Sequence, residues 1–258
     1  MAEADEFARY PSLKGRVTFI TGGSTGIGAE LVAQFVRQGA RVAFVDIDEE
    51  GAEKLMAGLE KEGLERPRFL RCDVRDIPAL QAAIADVGKE FGPIRALVNN
   101  VANDQRHPYE TVTPEFWDNV QAINFRPHFF AIQAVAPMMK SVGGGSIINF
   151  GSLSWHANFS QMAGYMSAKA AIEGLTRAMA RELGPDNIRV NCVVPGWIMT
   201  ERQLSLWLTP EADADRMKAQ CLKDRVYPAD VARMVLWLAA DDSRMCTNQN
   251  YVVDGGWI

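Results

Sequence analysis

The sequence predicts an α/β protein built on a doubly wound parallel sheet of seven strands with helices on both faces. Short runs rich in Val, Ile and Phe alternate with longer amphipathic stretches, which is the pattern of βαβ units around a buried parallel sheet. Glycine or proline ends the amphipathic stretches, as expected of helices that stop before the next strand. A glycine-rich segment also follows the first apolar run and opens the first helix.

The predicted strands cover residues 16–21, 41–46, 68–72, 96–99, 146–150, 189–194 and 250–253, and helices fill the intervals. No linker or shift in composition marks a boundary. We therefore expect residues 1–258 to form a single dinucleotide-binding and catalytic domain. The segment from about 197 to 220 lacks a clear core pattern, and we interpret it as a lid over the substrate.

Composition and charge narrow the classes of function. The chain has 258 residues, 48% of them hydrophobic and 23% charged, with a net charge of −5, which is unlike the basic surface that binds nucleic acid or anionic membranes. The longest apolar run, 234–240, is far shorter than the ~18 residues of a membrane span. Residues 1–10 are acidic without a secretion signal, and the four cysteines are widely spaced. We expect a cytoplasmic protein with a small-molecule substrate and no metal site.

Residues 21–28 read TGGSTGIG and lie between the first predicted strand and the first helix. Gly22 permits a tight turn, and Gly26 and Gly28 allow a pyrophosphate to approach the backbone at the helix N-terminus. A plain glycine-rich turn is the alternative, and it is disfavoured because strand, helix and a later acidic residue occur together. This pattern predicts a Rossmann-like fold with cofactor contacts at Gly22, Ser24, Thr25, Gly26, Ile27 and Gly28.

The acidic residue is Asp46, which ends the second predicted strand about 20 residues after the glycines. Its carboxylate is placed to bind both hydroxyls of a ribose, with Ile47 beside it. The following turn contains Asp48 and further acids but no basic residue, so a 2′-phosphate would be repelled. This arrangement predicts NAD as the cofactor rather than NADP, although Asp48 by itself is typical of a solvated helix start.

Tyr165 and Lys169 are four residues apart on a predicted helix and share one face. The spacing is weak evidence, because Tyr10 and Lys14 repeat it near the start of the chain. Ser152 strengthens it, since it follows the fifth strand at the edge where open α/β sheets bind ligands. Lys169 and an oxidised nicotinamide favour the tyrosinate, so Tyr165 can take an alcohol proton while Ser152 binds the reacting oxygen. Hydride then passes to the cofactor.

Several further short motifs follow along the chain. In order, they are Cys72-Asp73-Val74, Asn99-Asn100, Asn124, Ser152, Tyr165 to Lys169 and Pro195-Gly196. With TGGSTGIG and Asp46, they resemble the short-chain dehydrogenase/reductases over nearly the whole chain. The resemblance implies the catalytic set Asn124, Ser152, Tyr165 and Lys169, with Asn124 opening a helix for a relay water and Lys169 holding the nicotinamide ribose. It also implies a homotetramer. The implied cofactor contacts, besides the glycine turn, Asp46 and Ile47, are Cys72, Asp73 at the adenine edge, Val74, Asn99, Val101, Ala102, Tyr165, Lys169, Pro195, Gly196, Trp197, Ile198 and Thr200, the last at the nicotinamide amide.

One departure from the family pattern lies after the fourth strand. The family usually has Asn-Asn-Ala-Gly, whereas this chain has Asn99-Asn100-Val101-Ala102. The added methyl of Ala102 either crowds the cofactor or reshapes the floor of the pocket, and we favour reshaping because the catalytic set is intact. A neutral packing variant is the alternative.

A closer resemblance is to bacterial sugar dehydrogenases that oxidise aldoses at C1, carried by residues 10–15, 148–152, 154–156, 184–186, 192–196 and 219–223. It implies oxidation of an aldose such as D-galactose, L-arabinose or D-xylose to its lactone. Polar loops follow the fourth and fifth strands, and a tryptophan there suits a sugar face. The predicted substrate contacts are Asn103, Asp104, Ser152, Ser154, Trp155, His156, Asn158, Tyr165, Trp197 and Gln203.

Other interpretations remain open at this point. In a simpler alternative to the sugar site, Trp155 is a core residue and His107 and His156 are ordinary loop residues. Trp117 and Trp237, on amphipathic helices, are expected in the core. A reductase of 3-oxoacyl thioesters or other ketones would use the same catalytic set, but would need a long apolar groove and usually NADP. A non-catalytic NAD-sensing module would have no need of the complete set.

Overall fold

A computed structural model describes residues 7–258, and its seven strands form one parallel sheet in the order β3-β2-β1-β4-β5-β6-β7. The predicted fold class is therefore confirmed. The expectation about residues 1–10 falls partly on residues 1–6, which lie outside the described residues. The strands are β1 (Val17–Thr21), β2 (Arg41–Asp46), β3 (Arg68–Arg71), β4 (Ala96–Asn99), β5 (Gly145–Phe150), β6 (Ile188–Pro195) and β7 (Asn250–Val253).

Helices cover both faces of the sheet, and proline or a capping side chain begins most of them, as when the Asp76 carboxylate accepts a hydrogen bond from the Ala79 N–H. They are α1 (Gly26–Arg37), α2 (Glu49–Lys61), α3 (Ile77–Phe91), α4 (Pro114–Asn124), α5 (Arg126–Ser141), α6 (Leu153–His156), α7 (Ala163–Leu183), α8 (Glu201–Leu206), α9 (Pro210–Ala219) and α10 (Pro228–Ala239). Within residues 7–258, no helix combines the length and the apolarity needed to cross a membrane.

The strand alternation divides the interior into two cores. In β1, Phe19 packs with the helices α3, α5 and α7, while its neighbour Ile20 faces the opposite core formed with α1, α2 and α10. Successive side chains of a strand point to opposite faces, so each strand of a doubly covered sheet is apolar on both. This explains the continuous apolar runs from which the strands were predicted.

The predicted strand bounds differ from the observed ones by at most one residue at either end. β2, β4 and β7 begin and end as predicted, whereas β1 begins at Val17, β3 ends at Arg71, and β5 and β6 are slightly longer than expected. Arg16, just before β1, is nonetheless in the interior: its side chain is buried and donates to the Ala239 carbonyl.

Strand order reverses between β1 and β4, because β2 and β3 lie on one side of β1 and the remaining strands on the other. Ligands of open α/β sheets bind outside the carboxyl ends of the strands at such a switch point. The glycine turn after β1 and the segments after β4, β5 and β6 therefore meet at one edge.

The segment 197–220 is an ordered piece of structure that contains α8 and α9. Ile198 forms a bridge with Val226 at its start, and the Cys221 N–H donates to the Gly256 carbonyl just after its end. Its interior contains Arg216, which is buried and ion-paired with Asp213 at 2.8 Å. Because a buried arginine rather than an apolar stripe anchors α9, the sequence shows no core pattern here.

Candidate active site

The glycine turn has the geometry of a phosphate cradle. Gly22 and Gly26 have φ angles of 73° and 56°, in the region that favours glycine. A Cβ on Gly28 would lie 1.7 Å from the Gly22 carbonyl oxygen, so the start of α1 packs against the turn only without a side chain. Ser24, Thr25 and Gly26 also line the groove between α1 and α2 on the outer side of the turn. The N–H groups of the first helical turn are thus presented at the switch point.

Asp46 ties the end of β2 to this turn. One carboxylate oxygen accepts a hydrogen bond from the Ser24 N–H at 2.9 Å, and the other accepts from the Ile47 N–H at 2.7 Å. Ile47 itself is exposed, whereas Asp48 caps α2 by accepting from the Gly51 N–H. Asp48 therefore begins a helix, in agreement with the simpler alternative for it.

Cys72 and Val74, which flank Asp73 after β3, are both buried. The Asp73 carboxylate is paired with Arg75 at 2.5 Å, and this hydrogen-bonded guanidinium lowers the pKa of Asp73. Burial of the flanking residues fixes the backbone on both sides of Asp73, while its carboxylate stays accessible at the carboxyl end of β3.

The four residues from the end of β4 onward, Asn99 to Ala102, have separate environments, and only the last two of them depart from the family pattern. The Asn99 amide points into the core and donates to the Asn149 side chain at 2.9 Å, so its side chain joins β4 to β5. The Asn100 amide donates to the Gly22 carbonyl at 2.8 Å and holds the glycine turn. Val101 packs against the core and lies within 2.9 Å of the position a Gly22 Cβ would take, and Ala102 lines the cavity.

Ser152, Tyr165 and Lys169 converge at the carboxyl end of β5. Ser152 is the N-cap of α6, and its hydroxyl accepts from the Ser154 N–H at 3.1 Å. Lys169 Nζ donates to the Phe150 carbonyl at 2.8 Å and lies 5.6 Å from the centre of the Tyr165 ring. The three side chains therefore share one site, as the sequence predicts.

Burial shifts the pKa values of these groups. Burial raises the pKa of Tyr165 well above its usual value, and the Asp104 carboxylate adds to this, while a hydrogen bond with Ser152 lowers it. Desolvation lowers the pKa of Lys169 to about 8. Tyr165 therefore needs both Ser152 and a nearby cation to become a base.

Asn124 lies where the long α4–α5 helical run is interrupted. α4 ends at Asn124, and Phe125 has φ and ψ of −127° and −56° before α5 begins. The buried Asn124 side chain accepts from the Asn103 N–H at 2.8 Å, so it also fixes the segment after β4. The broken helix is the feature that the family resemblance implies for this position.

A cavity of about 600 Å³ opens in front of Tyr165. The Asp104 carboxylate accepts from the Gln203 amide at 2.8 Å, and the same amide group accepts from the Trp197 indole at 2.9 Å. Arg202 is also paired with Asp104, so α8 is linked to the segment after β4 across the cavity mouth. The predicted site residues on its wall are Ile27, Ala102, Asp104, Ser152, Ser154, Asn158, Tyr165, Lys169, Pro195, Gly196, Trp197, Ile198, Thr200 and Gln203.

Three predicted substrate contacts do not line this cavity. The Trp155 indole N–H donates to a carboxylate oxygen of the buried Glu173 at 2.9 Å, and His156 Nε2 is hydrogen-bonded to the same oxygen at 2.9 Å. The two rings also stack on each other. Asn103 is exposed, and its side chain accepts from the Gln105 N–H. The structure therefore places these three side chains off the cavity wall, and the single helical turn after Ser152 directs Trp155 and His156 to Glu173.

Several wall residues were missed by sequence reasoning. Trp207 and Trp257 add two large rings, with the Arg106 guanidinium stacked 4.0 Å from the centre of Trp207 and Phe159 beside Trp257. The sequence offered one indication for Trp207, because it is a tryptophan in an otherwise polar lid. The sequence offered no such indication for Trp257, because only the contacts of residues 254–256 with the end of the lid bring it to the cavity. Among the described residues, no cluster of His, Cys, Asp or Glu is arranged to hold a metal ion.

Comparison with known proteins identifies the family. A family model described as enoyl-(acyl carrier protein) reductase matches residues 22–258. The chain is 50% identical to a D-xylose 1-dehydrogenase of Caulobacter vibrioides, over 97% of this chain and 98% of the relative, and 45% identical to a probable galactose dehydrogenase of Rhizobium meliloti, over 96% and 97%. The chain belongs to the short-chain dehydrogenase/reductase family.

Solved structures agree with this assignment. A short-chain type dehydrogenase/reductase from Mycobacterium ulcerans has a TM-score of 0.90 at 26% identity, covering 95% of this chain and 90% of its own. A 7α-hydroxysteroid dehydrogenase complexed with NADH has a TM-score of 0.90 at 30% identity, over 99% and 98%. This chain is accordingly an oxidoreductase that uses a nicotinamide cofactor and a small-molecule substrate. The side-chain-free cradle at Gly28 and the carboxylate of Asp46 fit such a dinucleotide.

Proposed function

We propose that this dehydrogenase oxidises an aldose of the D-galactose, L-arabinose or D-xylose type at C1 to the lactone, with NAD as the electron acceptor. One observation carries the proposal: the cavity that Tyr165 faces has a wall of hydrogen-bonding side chains with aromatic rings between them. The relatives at 50% and 45% identity, which are a D-xylose 1-dehydrogenase and a probable galactose dehydrogenase, support the same substrate class.

Tyr165 acts as the general base in this proposal. Ser152 donates a hydrogen bond to the anomeric oxygen, and the Tyr165 phenolate removes the proton of that hydroxyl. Lys169 supplies the positive charge that favours the phenolate and binds the nicotinamide ribose, and Asn124 holds the relay water at the break between α4 and α5. When bound, the nicotinamide ring accepts the hydride from C1.

The choice of NAD rests on the carboxylate of Asp46. Its oxygens already accept backbone N–H donors from Ser24 and Ile47, which leaves it fixed at the ribose end of the cradle. A fixed carboxylate can accept hydrogen bonds from two ribose hydroxyls, but it repels a 2′-phosphate. Asp48 adds a second negative charge to the same turn.

A sugar suits the wall of the cavity better than an acyl chain. Asp104, Asn158 and Gln203 present a carboxylate and two amides, whereas Trp207 and Trp257 present flat apolar surfaces. Asp104 and Gln203 already hold one another, but their oxygens can accept further hydrogen bonds, which sugar hydroxyls donate and a methylene chain does not. A buried polar group without such a partner costs ~1–3 kcal/mol. The rings suit the C–H face of a pyranose.

Three further expectations belong to this proposal. Residues 1–258 act as one dinucleotide-binding and catalytic domain with the lid at 197–220, and the protein works as a cytoplasmic homotetramer. The thiols that the structure describes are all free, which suits a reducing compartment. Light scattering coupled to size exclusion measures the assembly, and a dimer would contradict this part alone.

The decisive experiment is a substrate panel. The purified protein is given NAD with D-galactose, L-arabinose, D-xylose, L-fucose or D-glucose, and NADH formation is followed by absorbance while the lactone is trapped as its hydroxamate. D-galactose and L-arabinose share their ring hydroxyl arrangement and should behave alike if the cavity admits the extra hydroxymethyl group. A separate reaction offers NADH with an acetoacetyl thioester. Rapid thioester reduction without NADH formation from any aldose would contradict the proposal.

A further inference from the structure

Glu173 is a buried carboxylate that the proposed reaction does not use. It lies on α7, one helical turn beyond Lys169 and two beyond Tyr165, and is 7% exposed. Residues four apart on a helix share a face, so Glu173 is rigidly connected to both catalytic side chains. A buried carboxylate is costly without hydrogen-bond donors, and its donors indicate what it holds.

Three donors surround this carboxylate, and they come from two other elements. The Trp155 indole and the His156 ring, both in α6, lie 2.9 Å from one oxygen. The Asn250 amide at the start of β7 donates to the other oxygen. Glu173 therefore connects α7 to α6 and to the edge of the sheet.

Ser152 lies between the points that contact Glu173. It is the N-cap of α6, so the two aromatic donors follow it by three and four residues. Gly151 precedes it, and a Cβ on Gly151 would lie 3.4 Å from the nearer Glu173 oxygen and 3.0 Å from the Cys192 sulfur. The segment that carries Ser152 is thus hydrogen-bonded to α7 after the serine and lies close to Glu173 before it.

We propose that Glu173 is a positioning residue: its carboxylate fixes the segment carrying Ser152 relative to the helix carrying Tyr165. Chemical steps depend steeply on such distances, and a displacement of about 1 Å can reduce the rate about 10²-fold. Trp155 and His156 then serve the reaction through Glu173 instead of touching the substrate. The kinetic part of this inference rests on the proposed function.

The first test is Glu173→Ala, with Glu182→Ala, an exposed glutamate of the same helix, as the matched control. We expect kcat with the best aldose to fall about 10²-fold, with the KM for NAD and NADH binding unchanged. The pH profile of oxidation should move to higher pH, because the Ser152 hydrogen bond lowers the pKa of Tyr165. Glu173→Gln should recover most of kcat, since its carbonyl still accepts from Trp155 and its amide pairs with a rotated Asn250.

A double-mutant cycle separates positioning from general destabilisation. If Glu173 acts through Ser152, Glu173→Ala should cost less than about 3-fold in kcat once Ser152→Ala is present, because interacting residues are not additive. Trp155→Phe, which keeps an aromatic side chain but removes the indole donor, should reproduce part of the loss. Full additivity in the cycle, or a rise in sugar KM with unchanged kcat, would overturn the proposal.

Hydrogen exchange provides a test that needs no substrate. In Glu173→Ala, amides of residues 151–157 should exchange faster than in the wild type, while those of β1 and α1 should not change. Unchanged exchange in 151–157 would contradict the positioning role even if no aldose is oxidised. An inactive wild type with faster exchange in the variant would reject the sugar proposal and retain the role of Glu173.

Discussion

The side chains proposed for the chemistry and those proposed for sugar recognition are held in different ways. Ser152, Tyr165 and Lys169 lie on α6 and α7 beside β5. There the Phe150 carbonyl accepts from Lys169, and the Glu173 carboxylate accepts from Trp155 of α6. Asp104 and Gln203 stand on segments outside the sheet and hold one another across the cavity mouth. We call the first group, Ser152, Tyr165 and Lys169, the frame, and the second, Asp104 and Gln203, the wall. The frame is stabilised by burial, whereas the wall is stabilised by contacts between the segment after β4 and α8.

This difference separates two kinds of effect. Displacing a frame residue changes the reacting geometry, so it should act on kcat. Removing a wall residue loosens a contact that a sugar can partly replace, so it should act mainly on the KM for the sugar. The following predictions test that separation, from the largest effect to the smallest.

Tyr165→Phe should lower kcat by ~10³-fold or more, because the base and one contact to the reacting oxygen are lost together. NADH binding, measured by fluorescence titration, should not change. Tyr10→Phe is the control, since Tyr10 and Lys14 have the same spacing without the site. More than a tenth of wild-type activity in Tyr165→Phe would mean that another group is the base.

Ser152→Ala should lower kcat ~10²-fold, which is the usual cost of one missing donor at a reacting oxygen. Burial raises the pKa of Tyr165 and the Ser152 hydrogen bond lowers it, so removing the serine raises this pKa further. The rate of oxidation should then rise at higher pH than in the wild type. A profile that moves to lower pH would contradict the assigned hydrogen bond.

Asp46 tests the selection of the cofactor at the other end of the proposed site. NAD should be preferred to NADP by at least ~100-fold in kcat/KM, because hydrogen bonds to the ribose are exchanged for charge repulsion. Replacing Asp46 by serine together with Ile47 by arginine should narrow the ratio. Similar kcat/KM values for the two cofactors in the wild type would show that the turn does not select between them.

Asp104→Asn tests the wall. The ion pair with Arg202 is lost while the hydrogen bond from Gln203 can persist, so we expect a rise of ~10-fold in sugar KM and a change in kcat of less than ~3-fold. Because the Asp104 charge raises the pKa of Tyr165, the pH profile should move to lower pH. A loss confined to kcat would place Asp104 with the frame and remove the distinction.

The fold class and the order of the strands along the chain could be predicted from the sequence, because apolar periodicity, helix caps and the needs of a tight turn act within a few residues. Strand bounds were correct to within one residue for the same reason. The cofactor cradle was predicted from the glycine turn in the same way, whereas the complete catalytic set was predicted from the family resemblance. The interpretation of Asp48 as a helix start also needed only its neighbours.

Which side chains line the cavity could be known only from the folded chain. Trp155 directly follows Ser154, which lies on the cavity wall, yet it contacts Glu173 because consecutive side chains of α6 point in different directions. Trp257 reaches the cavity because residues 254–256 pair with the end of the lid, at a sequence distance no local pattern reports. Arg216 inside the lid shows the same limit, since a buried charge is recognised only when Asp213 is seen beside it. The direction in which a side chain points, and its contacts with residues far away in the sequence, depend on packing, which is a property of the folded chain.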